Sequence, residues 1–88
     1  MTRIITITGQ SLDDFIASKL PPVLRPIFIK RLEVLTSMGR KCIDAFVFSH
    51  ENFYYFCLED TQISEKAKVY ISFIDVQNII IIIDIVLI

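Results

Sequence analysis

The first part of the chain has the pattern of a short strand followed by a helix. Residues 3–8, Arg-Ile-Ile-Thr-Ile-Thr, are rich in β-branched side chains and precede a glycine, which predicts a strand. Ser11 and Asp14 have the spacing of a capping box at the start of a helix. The Pro21-Pro22 pair ends that helix, because the residue before a proline avoids the α conformation. Apolar residues at helical spacing define its buried face: Leu12, Phe15, Ile16 and Leu20.

A second helix follows the proline pair with almost no loop. Proline is tolerated in a first helical turn, so Pro22 can open this helix and Pro26 need not break it. Gly39 is well placed as the C-terminal cap, and Arg40 and Lys41 lie beside the negative end of the helix dipole. The predicted buried stripe comprises Leu24, Ile27, Phe28, Leu32, Leu35 and Met38.

The remainder of the chain has the pattern of strands joined by turns. Residues 43–49 and 53–59 flank a three-residue turn, and residues 69–74 and 79–88 flank a four-residue turn. Between these hairpins, residues 61–66 are polar and are expected to form the longest loop. The 88-residue chain is therefore expected to be a single α+β domain in the order β-α-α-β-β-β-β. A helical hairpin would pack on an antiparallel sheet.

The last predicted strand lacks the alternation of a half-buried strand. Residues 79–88 are apolar on both faces apart from Asp84. One face can pack on the helices, so the other must be covered by something else, and an uncovered apolar face usually marks an interface. An ionisable group in such a strand must be paired, protonated or at an interface. We therefore predict a homo-oligomer or a bound protein partner, with the interface on Ile80, Ile82, Asp84 and Val86.

Composition and charge narrow the class of protein. Hydrophobic residues make up 53% of the chain and charged residues 22%, which is typical of a folded domain. A net charge of -1 and a pI near 5.7 give no general attraction to nucleic acid. A membrane span is not expected, because about 20 apolar residues would have to include Asp75 and Asp84. The start of the chain has no signal-peptide pattern, and two cysteines alone favour a reducing cytoplasm.

Several side chains are candidates for chemistry, and each has a plainer alternative. His50 is the only histidine and suits acid–base work near neutral pH, although an exposed polar residue is ordinary in a turn. Tyr70 could donate a phenolic proton, although strand aromatics more often belong to a core or an interface. No zinc-ligand spacing is present, so no metal and no cofactor are expected. A basic patch could grip phosphates or could be a solvated helix face: Lys30, Arg31, Arg40 and Lys41.

Three segments share the pattern of a known family. Residues 20–39 run from a Leu-Pro through basic and apolar residues to a Leu-x-x-x-Gly ending. Residues 50–57 read His-Glu-Asn-Phe-Tyr-Tyr-Phe-Cys, and residues 69–84 form a final hairpin. In this order the chain resembles the RelE/ParE toxin superfamily, closest to its HigB-like and phage-derived branch. The segments look like that family's second helix, its Gly-Leu-Tyr-Glu-Leu-Arg strand and its last hairpin.

The resemblance implies a RelE-like fold and a toxin of a type II toxin–antitoxin pair. Members commonly cleave ribosome-bound messenger RNA and are held inactive by an antitoxin that wraps them, whereas the ParE branch poisons gyrase. The cleavage requires a base, an acid and cations for the developing charge. The family supplies the cations with arginines and lysines on the sheet and second helix, and adds a Tyr or His near the C-terminus.

This sequence departs from the family pattern at the positions that carry the chemistry. Cys57 and Val69 stand where relatives usually have arginine, and residues 86–88 are Val-Leu-Ile where relatives often have a basic tail. Two hypotheses therefore stay open. The chain is either a RelE/HigB-like messenger RNA endoribonuclease with weak or lost activity, or an inactive module of the same fold that binds a partner or itself through its C-terminal strand.

Overall fold

The computed structural model describes residues 2–51 and 53–88, and these residues form an α+β fold. The predicted fold class is thereby confirmed. The helices are α1 (Leu12–Lys19) and α2 (Arg25–Met38). Short 3-10 segments lie at Pro22–Leu24, Gly39–Asp44 and Asp75–Gln77. The strands are β1 (Arg3–Thr6), β2 (Phe48–His50), β3 (Phe53–Asp60), β4 (Ile63–Ile74) and β5 (Ile79–Leu87).

The strands form one mixed sheet in the order β1-β5-β4-β3-β2. The β2–β3, β3–β4 and β4–β5 pairs are antiparallel, as the hairpin patterns predict. β1, however, runs parallel to β5, with Arg3 opposite Ile79 and Thr6 opposite Ile82. The prediction of a purely antiparallel sheet is therefore wrong at this edge. No local turn signals such a pairing, because its two strands come from opposite ends of the sequence.

Two predicted boundaries in the strand region are also wrong. Residues 43–49 were expected to be strand, but the 3-10 segment continues to Asp44 and the strand begins only at Phe48. The carbonyl of Cys42 accepts the N–H groups of the three residues 45–47, which keeps the chain coiled up to the strand. Residues 61–66 are not a long loop, because β4 begins at Ile63. The turn is closed by the Gln62 N–H, which donates to the Asp60 carboxylate at 2.8 Å.

The ends of both helices follow from local chemistry. Ser11 is the N-cap of α1 as predicted, since its hydroxyl accepts the Asp14 N–H at 3.2 Å. Gly39 caps α2 as predicted, at φ +57°, a conformation that side chains with a Cβ rarely adopt. With 8 and 14 residues, α1 and α2 are short, and no helix within residues 2–51 and 53–88 is long and apolar enough to span a bilayer.

Arg25 links the end of α1 to the start of α2. Its guanidinium donates to the carbonyl oxygens of Ala17 at 3.2 Å and Leu20 at 3.1 Å. The last carbonyls of a helix have no partner within that helix, and the following prolines have no N–H to offer them. The arginine therefore supplies donors that the proline pair cannot, and it ties the two helices together at their junction.

The helices cover one face of the sheet and leave the other uncovered. The covered face and the helices share one core, in which Leu24, Phe28, Leu35, Phe56 and Ile82 are fully buried. Alternate strand residues point the other way, toward what we call the open face. Its side chains include Phe48, Phe53, Tyr55, Tyr70, Ile81 and Ile83, none of which is fully buried.

The one-sided core predicts that two phenylalanines near one another in the sequence differ in their effect on stability. Phe56 packs between Phe28 and Phe46, so Phe56→Ala is expected to lower the free energy of unfolding by about 3–5 kcal/mol. Phe48 is 54% exposed on the open face, so Phe48→Ala is expected to cost less than about 1 kcal/mol. Chemical denaturation of the two variants measures both values. Similar losses would contradict a core confined to the helix side.

The two cysteines are expected to differ in reactivity. Burial raises the pKa of the Cys42 thiol above its ordinary value of 9.0, outweighing the lowering effects of a backbone hydrogen bond and Arg31. Cys57 lies partly exposed on the open face. A thiol reagent should therefore modify Cys57 in the native protein and Cys42 only after unfolding, and Cys57→Ser should abolish the rapid reaction.

The same burial gives a pH dependence of stability. Above pH 9.0 the unfolded thiol of Cys42 loses its proton while the folded thiol retains it, so the unfolded state is favoured. The stability is thus full below that pH and falls as the pH rises through it. Cys42→Ala removes this loss, and a wild-type protein whose stability is the same at pH 8 and above pH 9 would contradict the assignment.

Candidate functional site

An aromatic row crosses the open face from β2 to β4. Phe48 lies opposite Tyr55 in the strand register, and Tyr55 lies opposite Tyr70. The ring centroids of Phe48 and Tyr55 are 5.6 Å apart, and those of Tyr55 and Tyr70 are 6.0 Å apart. Both distances are typical of interacting aromatic pairs. The consecutive strands β2, β3 and β4 thus present one continuous aromatic surface.

A hollow of about 480 Å³ opens beside this row. It is wide enough for a small molecule or for a side chain of another protein. Phe53, Tyr55 and Ile83 supply its apolar walls, whereas His50 and Glu51 lie at the turn between β2 and β3. The complete lining comprises His50, Glu51, Phe53, Tyr55, Lys68, Tyr70, Ile83 and Asp84.

The hollow brings together the two side chains that the sequence singled out for acid–base chemistry. His50 ends β2 and Tyr70 lies in the middle of β4, and both line this hollow. Lys68 joins them from the same side of β4, with its Nζ 5.1 Å from the centre of the Tyr55 ring. Sequence reasoning missed Lys68, although its spacing of two residues from Tyr70 in a strand puts both on one face. The hollow therefore has one imidazole, one ammonium, two phenols and two carboxylates around an apolar floor.

Asp84 lies at the rim of the hollow and is paired. Its Oδ1 is 3.4 Å from Lys19 Nζ and also accepts the Ile85 N–H at 2.8 Å. A register shift next to the Tyr70–Asp84 pair leaves Ile83 as an extra residue in β5. Half of the side-chain surface of Asp84 remains exposed, so the ion pair adds at most about 1 kcal/mol to stability. The sequence left open whether Asp84 is paired, protonated or at an interface, and in the structure it is paired.

The four predicted phosphate-binding cations lie away from the hollow. They belong to α2 and the 3-10 segment that follows it, whereas the hollow is on the opposite side of the sheet. Arg31 stacks on Phe46, with its guanidinium carbon 4.5 Å from the ring centre. Lys30 and Lys41 are exposed and extend toward solvent. The structure therefore does not bring this patch together with His50 and Tyr70.

The side chain of Arg40 is held by contacts with neighbouring side chains of the same chain. It forms an ion pair with Asp75 at 3.2 Å and donates to the Tyr54 hydroxyl at 3.4 Å. Its guanidinium also lies over the rings of Tyr54 and Phe73, at 5.8 and 5.4 Å from their centres. These contacts tie the end of α2 to the β4–β5 turn. They give Arg40 a structural role that is independent of any phosphate.

The predicted interface residues divide between the two faces of β5. Ile80 and Ile82 are 1% and 0% exposed in the core, which contradicts their assignment to an interface. Val86 is 45% exposed and Asp84 is partly exposed, so these two remain accessible. The run of five consecutive isoleucines does not show which of them face the core, because a strand that is apolar on both faces fits the core in either orientation. Ile81 and Ile83, which point to the open face, are the isoleucines available to a partner.

The arrangement can bind apolar groups and can also exchange protons. Among residues 2–51 and 53–88, no three His, Cys, Asp or Glu side chains are grouped so as to hold a metal ion. The ionisable groups of the hollow are the predicted candidates His50 and Tyr70, the cation Lys68, the phenol of Tyr55 and the carboxylates of Glu51 and Asp84. Its larger part is aromatic and aliphatic, which favours adhesion to another apolar surface.

Comparison with models of known protein families, with curated protein sequences and with solved structures found no match to this chain. The fold and the hollow described above are therefore the basis for a functional assignment.

Proposed function

We propose that this chain is a protein-interaction module that binds an apolar segment of a partner protein on its open face, beside the C-terminal strand β5. The observation that carries the proposal is the uncovered aromatic row with its adjoining hollow. The helices cover the other face alone, so Phe48 and Phe53 are each left 54% exposed next to half-buried tyrosines. Contiguous exposed apolar surface of this kind is unusual unless it binds something.

The shape and chemistry of the hollow favour a polypeptide over a charged ligand. Its walls are aromatic and aliphatic, and it carries charges of both signs, with Lys68 on β4 and Asp84 on the neighbouring β5. An apolar side chain of the partner would enter the hollow and desolvate Tyr55 and Tyr70. The tyrosine hydroxyls and Lys68 would then meet polar groups of the partner at the rim. Tyrosine-rich surfaces with a polar edge are typical of protein interfaces.

A RelE-like ancestry accounts for the family resemblance of the sequence. In this proposal the chain keeps the β-α-α-β-β-β-β order of that superfamily and has lost its catalytic cations. Cys57 and Lys68 face each other across β3 and β4, and the family's arginine is missing at the cysteine position. Two free cysteines fit a protein that works in a reducing cytoplasm. An antitoxin-like protein is one partner that would fit the open face.

Site-specific photocrosslinking tests this proposal in the cells that make the protein. A photoreactive phenylalanine analogue at position 53 is expected to capture one discrete partner protein. The same analogue at Ile29, which is 48% exposed on α2, serves as the matched control and should not capture it. Tyr70→Asp should weaken binding of the captured partner by about 30-fold or more, since removing a central aromatic contact commonly costs about 2 kcal/mol. Equal capture from positions 53 and 29 would contradict the proposal.

A second function, messenger RNA cleavage by a RelE/HigB-like toxin, is supported by one specific observation. His50, Tyr70 and Lys68 line the same hollow, and together they offer a base, an acid and a cation. The aromatic row could hold an unstacked base. The neutral-to-acidic net charge and the distance of the helix cations from the hollow argue against it. We therefore rank this function below the interaction module.

Induced expression in a bacterium tests the toxin function. An active toxin is expected to arrest growth and protein synthesis, and His50→Gln or Lys68→Met should relieve the arrest by lowering cleavage about 100-fold. Arg3→Met is the matched control, because Arg3 is an exposed cation on β1, outside both the hollow and the helix patch, and it should leave the arrest unchanged. Normal growth with abundant folded protein would exclude the toxin function and leave the interaction module standing.

A further inference from the structure

The outer edge of β5 has no strand beside it over its second half. Among the residues that the structure describes, β1 pairs with Ile79 to Ile82 and its last contact is the Ile7 N–H donating to the Ile82 carbonyl at 3.0 Å. β5 continues to Leu87 and pairs there only with β4. A strand edge of this kind presents free backbone groups that can pair with another chain.

The register identifies which backbone groups face outward. The Ile88 N–H donates to the Lys66 carbonyl at 2.9 Å, so the residues of β5 that bond to β4 alternate from Ile88 to Val86 and Asp84. The N–H and C=O groups of Ile85 and Leu87 consequently point away from β4. The Asp84 carboxylate already occupies the Ile85 N–H, while no side chain in residues 2–51 or 53–88 donates to or accepts from the backbone of Leu87.

The side chains along this edge are apolar and exposed. Val86, Leu87 and Ile88 are 45%, 55% and 71% exposed. Because alternate residues point to opposite faces, apolar surface lies both above and below the free edge. The edge therefore combines unpaired backbone groups with uncovered aliphatic side chains, and the only charge within it is Asp84 at its inner end.

We propose that this edge pairs in antiparallel fashion with the same edge of a second copy of the chain, with Val86 on the two-fold axis. In this register Ile85 of each copy exchanges backbone hydrogen bonds with Leu87 of the other. The two valines face each other at the close, non-hydrogen-bonded position. The result is one continuous sheet across the two copies, and the open faces remain free to bind partners. The inference concerns the edge of the sheet and does not rest on the proposed function of its face.

A second copy suits this edge because the segment is complementary to itself. Residues 85–88 are Ile-Val-Leu-Ile, so no like charges meet within the pairing. Asp84 of one copy lies opposite Ile88 of the other, which places the two carboxylates four strand residues apart, about 13 Å. That separation exceeds the screening length of about 8 Å at physiological ionic strength. Lys19 of the same chain also partly neutralises each Asp84.

Asp84 limits the strength of this pairing. Its side chain caps the Ile85 N–H and adds a charge at the end of an otherwise apolar edge, which is how natural sheets blunt their free edges. The wild-type chain is therefore expected to form a weak, concentration-dependent dimer. Asp84→Ala frees the N–H for the second copy and should tighten the dimer by about fivefold or more.

Sedimentation equilibrium of the full chain over a concentration series tests the proposal. The wild type is expected to be in monomer–dimer equilibrium, and Val86→Glu should weaken the dimer by at least about tenfold by placing two carboxylates at the axis. Val23→Glu is the matched control, because Val23 is also 45% exposed but lies before α2, and it should leave the equilibrium unchanged. A monomer at every concentration in both the wild type and Asp84→Ala would overturn the proposal.

Amide hydrogen exchange separates edge pairing from any other dimer. The Leu87 N–H should become protected as the protein concentration rises, because only pairing at the β5 edge gives it an acceptor. In Val86→Glu this protection should disappear. A dimer in which the Leu87 N–H exchanges as fast as in the monomer, or one that Val86→Glu leaves intact, would also overturn the proposal, whereas the partner captured at position 53 would be unaffected.

Discussion

The connection between the two edge strands constrains the rest of the molecule. β1 and β2 follow one another along the chain, separated only by the helices, yet they lie at opposite edges of the sheet. The segment between them must therefore cross the full width of the sheet, and it does so over one face as α1 and α2. The buried apolar side chains of the helices, such as Phe15, Phe28 and Leu35, pack against that face, whereas Ile29 of α2 remains exposed. Nothing in the described part of the chain crosses the other face, so its aromatic row stays uncovered.

This one-sided arrangement explains the composition of β5. The first half of the strand lies between β1 and β4, and its alternate side chains point to the covered face and to the open face. Ile80 and Ile82 complete the core under the helices, while Ile81 and Ile83 extend the apolar surface of the open face. The run of isoleucines thus serves two different environments. The core requires an apolar strand at this position, and the same strand leaves apolar surface exposed on the open face.

Local signals in the sequence predicted most of the elements, whereas the non-local pairing of the first strand was predicted wrongly. Ser11, the proline pair and Gly39 act through adjacent backbone groups, so their roles as helix boundaries could be read from the sequence. The parallel pairing of β1 with β5 has no such local signal. The sequence pattern did not reveal that β4 begins at Ile63, because the end of a strand that extends past the core can carry polar residues such as Ser64 and Glu65.

Part of the candidate site was predictable from the sequence, but its grouping was not. His50 and Tyr70 stood out chemically, but the sequence pattern placed His50 in a turn and left the face of Tyr70 open. Their meeting with Lys68 depends on the exact register of β2, β3 and β4, and a one-residue slip of a strand would reverse the faces of its side chains. The helix cations could not be placed relative to these two residues, because sequence alone does not show that the sheet lies between them. The face of the sheet to which Ile80 and Ile82 point was ambiguous too, because the sequence alone does not show which face the helices cover.

The pairing of Arg3 with Ile79 also has a consequence for the order in which the chain can fold during synthesis. The first strand leaves the ribosome well before its partner exists, and at about 5–20 residues per second the interval is roughly 4 to 15 s. During that time α1 and α2 have no complete sheet to cover, and their apolar faces stay exposed to other nascent chains and chaperones. The domain therefore closes only when its last strand emerges, and a ribosome that stalls before that point holds a chain with an adhesive, unfinished surface.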